Sequence, residues 1–271
     1  MNILKIMKGF SLSMLVASLM FTSSVFTAIL YASIQKDPSD PPLVTVQAGL
    51  TDAELNAADR QTSVPEPGGP VKEKALIDAP LIMQYPELPR GCEITTLTML
   101  LNFNGIMKTK MEMEKELPRD NTPLVQDKDG NIISWGNPHV GFVGDITLKS
   151  KGFGVYNGPM FALLKKYIPT AVNLTGNDFS AVEASIAKGV PVMVWNTVHY
   201  SPPEDWVEWQ SPSGKVRTTF KEHTVLVVGY DKQYVYINDP LKETKQLRVD
   251  KQQFIKGWEA LGKQAITYAP S

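Results

Sequence analysis

The sequence is short of three things: cysteine, histidine and any surplus of charge. A single cysteine, Cys92, in 271 residues excludes an intramolecular disulfide and every zinc motif built on several cysteines. Three histidines, His139, His199 and His223, give a dedicated metal site little to draw on. Basic and acidic side chains number 27 and 28, for a formal charge of −1, so no basic field argues for nucleic acid. The glycine patterns of P-loops and dinucleotide-binding turns are absent, and so is a G-x-S-x-G serine frame. No internal repeat is present. The remaining composition, 43% apolar and 20% charged, supports a sizeable core in one or two domains.

Charge is missing most completely near the N-terminus. Lys5 and Lys8 precede 23 uncharged residues from Phe10 to Ala32. That run exceeds the roughly 7–15 residues of a cleavable signal core and reaches the roughly 20 that span a bilayer. Leu30-Tyr31-Ala32 is only a weak cleavage site. Residues 1–32 are therefore expected to be a signal peptide or an N-terminal membrane anchor, with the lysines inside and the rest of the chain extracytoplasmic. Residues 33–75 carry Pro38, Pro41, Pro42, Pro65, Pro67, Pro70 and Gly68-Gly69, and are expected to be a flexible linker. An exported cysteine without a partner in its own chain is more often retained for reactivity.

The folded domain is expected over 76–271. Ile94, Leu97, Leu100, Leu101 and Asn104 recur at helical spacing before Gly105. Thr109–Leu117 reads as a charged helix stopped by Pro118, and 119–157 as a long loop of functional character. Pro159 opens a helix through Tyr167, and Ser180 with Glu183 reads as a capping box for a helix ending at Gly189. From Val190 the pattern turns to strands: 190–195, 206–210, 216–220, 223–230 and 234–239. Asp250 and Gln253 box a last helix, and 264–268 is extended. Helices first and an antiparallel sheet second define an α+β domain.

The helix from Ile94 puts Cys92 in a first turn, where free N–H groups and the helix dipole favour a thiolate. The stretch Pro86–Thr96 reads as the active-site turn of a cysteine hydrolase. A lone cysteine is also often an inert core residue, and Cys92 by itself does not choose between the two. His223 opens one predicted hairpin strand and Asp239 ends the other, so antiparallel pairing can set imidazole beside carboxylate. Taken singly, His223 could be a strand-end residue and Asp239 a turn residue. Gln84, eight residues before Cys92, is either an oxyanion donor or a solvated strand-end glutamine. His199 near Asp205, and His139 before Val140–Asp145, lie in loops without a rigid frame. Trp135, Trp195, Trp206, Trp209 and Trp258 read as packing residues, with Trp206 and Trp209 also able to line a groove.

Gln84–Leu97, Gly141–Asp145, His223–Asp231 and Val235–Pro240 together resemble the stand-alone relatives of the bacteriocin-processing cysteine peptidases, a papain-like family. The resemblance covers roughly 76–269. It implies a papain-like fold whose N-terminal helical part carries the nucleophile and whose C-terminal sheet carries histidine and aspartate. It further implies Cys92 as nucleophile, His223 as base, Asp239 as the residue that orients it and Gln84 as oxyanion donor, with no cofactor. No transporter is fused to this chain, so cleavage of double-glycine leaders does not carry over. The expected function is an exported cysteine peptidase acting on a peptide or protein, with the membrane contacted through the N-terminal segment. The alternatives are a non-hydrolytic cell-surface binding module, or an acyl transferase or amidase on cell-wall peptide.

Overall fold

A computed structural model describes residues 72–270. The anchor expected at 1–32 and nearly all of the linker expected at 33–75 lie outside the described residues. Among those described, no helix is long and apolar enough to cross a membrane.

In chain order, β1 (Ala75–Leu76) leads to α1 (Cys92–Phe103) and the short α2 (Lys110–Glu114). Four brief strands follow: β2 (Arg119–Asp120), β3 (Val125–Gln126), β4 (Ile132–Ser134) and β5 (Phe142–Val143). Then come α3 (Asn157–Tyr167), β6 (Ala171–Asn173), α4 (Phe179–Ala187) and β7 (Val192–Thr197). The chain closes with β8 (Val207–Ser211), β9 (Gly214–Thr218), β10 (Glu222–Tyr230), β11 (Tyr234–Asn238), β12 (Leu247–Asp250), α5 (Lys251–Ala260) and β13 (Ala265–Tyr268).

The main sheet runs β12-β11-β10-β7-β13-β6, all antiparallel, and β1 continues the β7 edge of β10 through Ala75↔Tyr230. This is the α+β architecture expected. Strand β10 is buried along its whole length, because helices cover both faces of the sheet. One face carries Trp195, whose indole N–H donates to the Val155 carbonyl on the α1 side. The other carries Asn196, whose amide donates to Phe254 on α5.

Helix α1 is not the amphipathic surface helix that its spacing suggests. Every residue from Cys92 to Leu101 is buried, including Glu93, Thr95, Thr96 and Thr98. Two threonines find acceptors that make this tolerable. Thr98 Oγ1 donates to Ile94 O at 2.7 Å, and Thr96 Oγ1 donates to Thr224 O at 3.1 Å, which pins α1 to β10. The fully enclosed Leu97, Leu100 and Leu101 each stabilise the fold by about 1.5–3 kcal/mol.

Other expectations shift. The 119–157 stretch is not one loop. β3 and β4 join β8 and β9 in a four-stranded sheet, and β2 pairs parallel with β5. The Ser180–Glu183 capping box does not form: α4 starts two residues earlier, with Asp178 at the N-cap, and Glu183 pairs with Lys251. Helix α3 begins at Asn157, which leaves Pro159 inside the first turn where no backbone N–H is needed. The Asp250 cap is present, accepting from Gln253 N at 2.8 Å.

Candidate active site

The turn before α1 is fixed from two sides. Lys110, at the start of α2, donates to Met83 O at 2.5 Å and Gln84 O at 3.0 Å and pairs with Glu87 at 2.6 Å. Arg90 donates to the carbonyls of Asp145 and Ser150, both at 2.9 Å. Between these anchors the chain folds tightly, with Gly91 N donating to Leu88 O at 2.9 Å. A Cβ on Gly91 would sit 2.6 Å from Leu88 Cβ, so only glycine fits immediately before the nucleophile candidate.

Cys92 is the first residue of α1 and is 7% exposed. Its thiol donates to Glu93 Oε2 at 3.3 Å. Glu93 Oε1 accepts from Val155 N at 2.7 Å, so both carboxyl oxygens of this buried residue are engaged. Glu222 approaches from β10, and donor atoms of Cys92, Glu93 and Glu222 all lie within 4.8 Å of one another. These three could in principle share a cation, but the hydrogen bonds of Glu93 account for its oxygens without one. The surroundings work against the expected thiolate. Burial raises the thiol pKa well above its ordinary value, and Glu93 and Glu222 raise it further, against a smaller opposing effect of the Thr224 backbone N–H. Burial likewise pushes Glu93 up to about 7, and Glu222 well above the ordinary carboxyl value.

His223 is the second residue of β10, and its Nε2 lies 2.7 Å from Asp239 Oδ1, just past the end of β11. The two side chains are 2% and 1% exposed. Asp239 Oδ1 also accepts from Leu241 N at 2.7 Å, and Oδ2 accepts from Tyr200 OH. Burial works against ionising Asp239, yet His223, Tyr200 and the Leu241 N–H together hold its carboxyl below the ordinary value. With Nε2 occupied, Nδ1 is the imidazole nitrogen left to meet a thiol.

The hairpin therefore brings His223 and Asp239 together as expected. On the neighbouring element the Cys92 sulfur lies against the N–H of Thr224, the residue after His223. Its hydrogen bond goes to Glu93, and among the described residues none joins it to His223. Gln84 is buried rather than solvated. Its amide donates one N–H to Pro89 O at 2.6 Å, leaving the second N–H, while Oε1 has no partner among the described residues.

The loop histidines stay apart from this cluster. His199 is exposed, lines a surface cavity of about 350 Å³ with Asp205, and makes no hydrogen bond to it; Asp205 instead accepts from Thr219. His139 is exposed and meets the Tyr156 ring edge-on at 4.7 Å. Trp135, Trp195, Trp209 and Trp258 are core residues, and Trp209 is spent on Gly136 O at 2.8 Å, so a Trp206–Trp209 groove is not formed.

Three residues of the cluster escape a reading of the sequence. Glu93 and Glu222 look like ordinary solvated carboxylates until the burial of α1 and β10 is known. Tyr200 follows the histidine that draws attention. It adopts a left-handed conformation, with φ of +56°, costly for a side-chain-bearing residue, and its hydroxyl reaches Asp239.

With this geometry in place, similarity to known proteins is specific. The Peptidase_C39 like family matches residues 76–266. Over 185 residues the chain is 38% identical to the uncharacterized protein YvpB of Bacillus subtilis strain 168, covering 68% of this chain and 71% of YvpB. The crystal structure of a candidate C39-like peptidase from Bacillus anthracis aligns with a TM-score of 0.68 and 39% identity, over 73% of this chain and 98% of that one. The chain belongs to the Peptidase_C39 like family, and its α+β fold is of the papain-like kind.

Proposed function

We propose that the protein is an exported cysteine peptidase that hydrolyses peptide bonds through a thioester on Cys92. The observation that carries this reading is the buried His223–Asp239 pair at 2.7 Å, with Nδ1 uncommitted, one residue along β10 from the Thr224 N–H against which the sulfur of Cys92, on the first turn of a helix, lies. The thiol turns from Glu93 toward His223, which takes its proton. The sulfur attacks the substrate carbonyl, and His223 protonates the leaving amine. Water, deprotonated by His223, then cleaves the thioester. Asp239 holds the imidazole in one tautomer and stabilises its protonated form. The Cys92 backbone N–H and the remaining N–H of Gln84 are the proposed oxyanion donors. No cofactor enters these steps.

The partner is a peptide or protein chain. Location belongs to the same proposal: Lys5, Lys8 and the uncharged run to Ala32 support export, with the domain either tethered by residues 33–75 or released. One observation favours a second reading. A neutral, buried thiol bonded to Glu93 is what a non-hydrolytic surface binding module of the same fold would keep.

The test is cleavage of a mixed peptide pool by the full chain and by Cys92→Ala and His223→Ala, each checked for native circular dichroism. Cleavage by wild type that both substitutions abolish supports the peptidase. Cleavage that survives Cys92→Ala rules it out, and peptide binding without cleavage by wild type establishes the binding module.

A further inference from the structure

Two buried carboxyl groups that the proposed mechanism does not use face each other beneath the nucleophile. Glu93 comes from α1 and Glu222 from β10, and their oxygens and the Cys92 sulfur lie within 4.8 Å of one another. Among the described residues neither carboxyl forms an ion pair with a lysine, arginine or histidine. The chain closes over them at Gly154, where a Cβ would stand 2.3 Å from Glu93 Oε1 and 3.1 Å from Glu222 Oε2. The remaining groups facing the pair are few. From α1 there is Cys92; from β10, Thr224, whose hydroxyl donates to Glu222 Oε1 at 3.3 Å. The segment after β5 supplies the Val155 N–H and the Tyr156 phenol, which is bonded to Thr218 at 2.5 Å. Two like charges in such a site do not both ionise readily, so the carboxyls compete with each other, and with the thiol, for protons.

We propose that Glu93 and Glu222 form a proton-sharing pair that positions the Cys92 thiol and brakes its ionisation. When the pair gives up a proton, charged Glu93 keeps the thiol protonated and turned toward itself. When the pair is fully protonated, Glu93 no longer opposes a thiolate, and its own O–H can donate to the sulfur across the same 3.3 Å contact. The brake engages as pH rises through neutrality. The upward displacement of both carboxyl groups by burial agrees with this direction. Glu93 is a positioning residue in this scheme, and its relevance to turnover rests on the peptidase reading.

The experiment is the rate of Cys92 alkylation by iodoacetamide across pH, in the full chain, for wild type, Glu93→Gln and Glu222→Gln. Cys92 is the sole cysteine, so the readout has one source. Glu93→Gln should match wild type in mild acid, where Glu93 is neutral. It should exceed wild type by about tenfold or more in mild base, which corresponds to a thiol pKa lowered by at least about one unit. Glu222→Gln should keep the onset near neutrality, where Glu93 ionises, and should exceed wild type only at higher pH, where Glu222 adds its own charge beside the thiol. A Glu93→Gln to wild-type ratio that does not change with pH overturns the proposal, as does a Glu222→Gln to wild-type ratio that does not change with pH. Should neither variant fold, infrared spectra of wild type decide. A protonated carboxyl band that persists above the ordinary carboxylate range and titrates near neutrality supports the pair, and its absence overturns it. Alkylation needs no substrate, so failure of the brake is separate from failure of the peptidase reading, which Cys92→Ala tests.

Discussion

His223 and Asp239 are sixteen residues apart in sequence and 2.7 Å apart in space, sealed from solvent at one end of the β10–β11 hairpin. A carboxylate so placed fixes which imidazole nitrogen carries the proton. Asp239→Asn keeps the shape, removes the charge and favours the wrong tautomer. A fall in kcat/KM of about 10³–10⁴ is expected with the fold retained, measured on whichever peptide the wild type cleaves. The same residue bears on acid stability. Its folded carboxyl value is depressed, so its contribution is present above the ordinary unfolded value and is lost as pH falls through the folded one. Asp239→Asn should flatten that acid limb in denaturation experiments.

Tyr200→Phe deletes the hydroxyl that donates to Asp239 Oδ2. A hydrogen bond to a charged group contributes about 1.5–3 kcal/mol, and urea unfolding at neutral pH should show a loss of that order. The carboxyl of Asp239 should shift upward as a donor is lost, moving the acid limb of kcat/KM to higher pH. An unmoved limb would mean that Tyr200 only packs against Phe254.

How far the sequence reveals this site depends on what kind of signal each residue sends. His223 and Asp239 are legible because a hairpin of two strong β runs leaves little choice about which ends meet. Cys92 is legible because helical spacing begins just after it. Glu93 is not, since Thr95, Thr96 and Thr98 lend α1 a polar face that only tertiary packing turns inward. Tyr200 depends on a left-handed turn that no local pattern announces. The strands at 119–143 are two or three residues long, too short to show a period of two, and they gain regularity only from partners such as Gln210 opposite Ser134. Asp178 rather than Ser180 stands at the N-cap of α4, without a side-chain cap hydrogen bond, a difference within the one or two residues by which helix boundaries vary.

Glu93 makes stability fall with rising pH. Its folded value of about 7 exceeds the roughly 4.3 of an unfolded glutamate, so its contribution is full below the unfolded value and lost as pH rises through the folded one. The loss is on the order of 3 kcal/mol by the alkaline side of neutrality. Guanidinium unfolding at pH 5 and pH 8 should show it in wild type, and Glu93→Gln should remove much of the difference. Equal pH dependence in both proteins would contradict it.

Lys110 connects α2 to the turn that presents Gln84. Its ammonium group reaches three consecutive carbonyls, of Met83, Gln84 and Tyr85. Lys110→Met retains the stem and removes the donors. Stability should fall by about 1–3 kcal/mol, and kcat should fall further than KM rises if the Gln84 amide acts in the transition state as proposed. A change in KM alone would remove Gln84 from the proposed oxyanion site.

The central claim is that Cys92, activated by His223, carries the acyl group. Acid-quenched mass spectrometry of the full chain mixed with an activated peptide ester tests this most directly. An acyl adduct mapping to the Cys92 peptide is expected, absent in Cys92→Ala and formed at least about 10²-fold more slowly in His223→Ala. An adduct on another residue, or ester turnover that persists at the wild-type rate without Cys92, would contradict it.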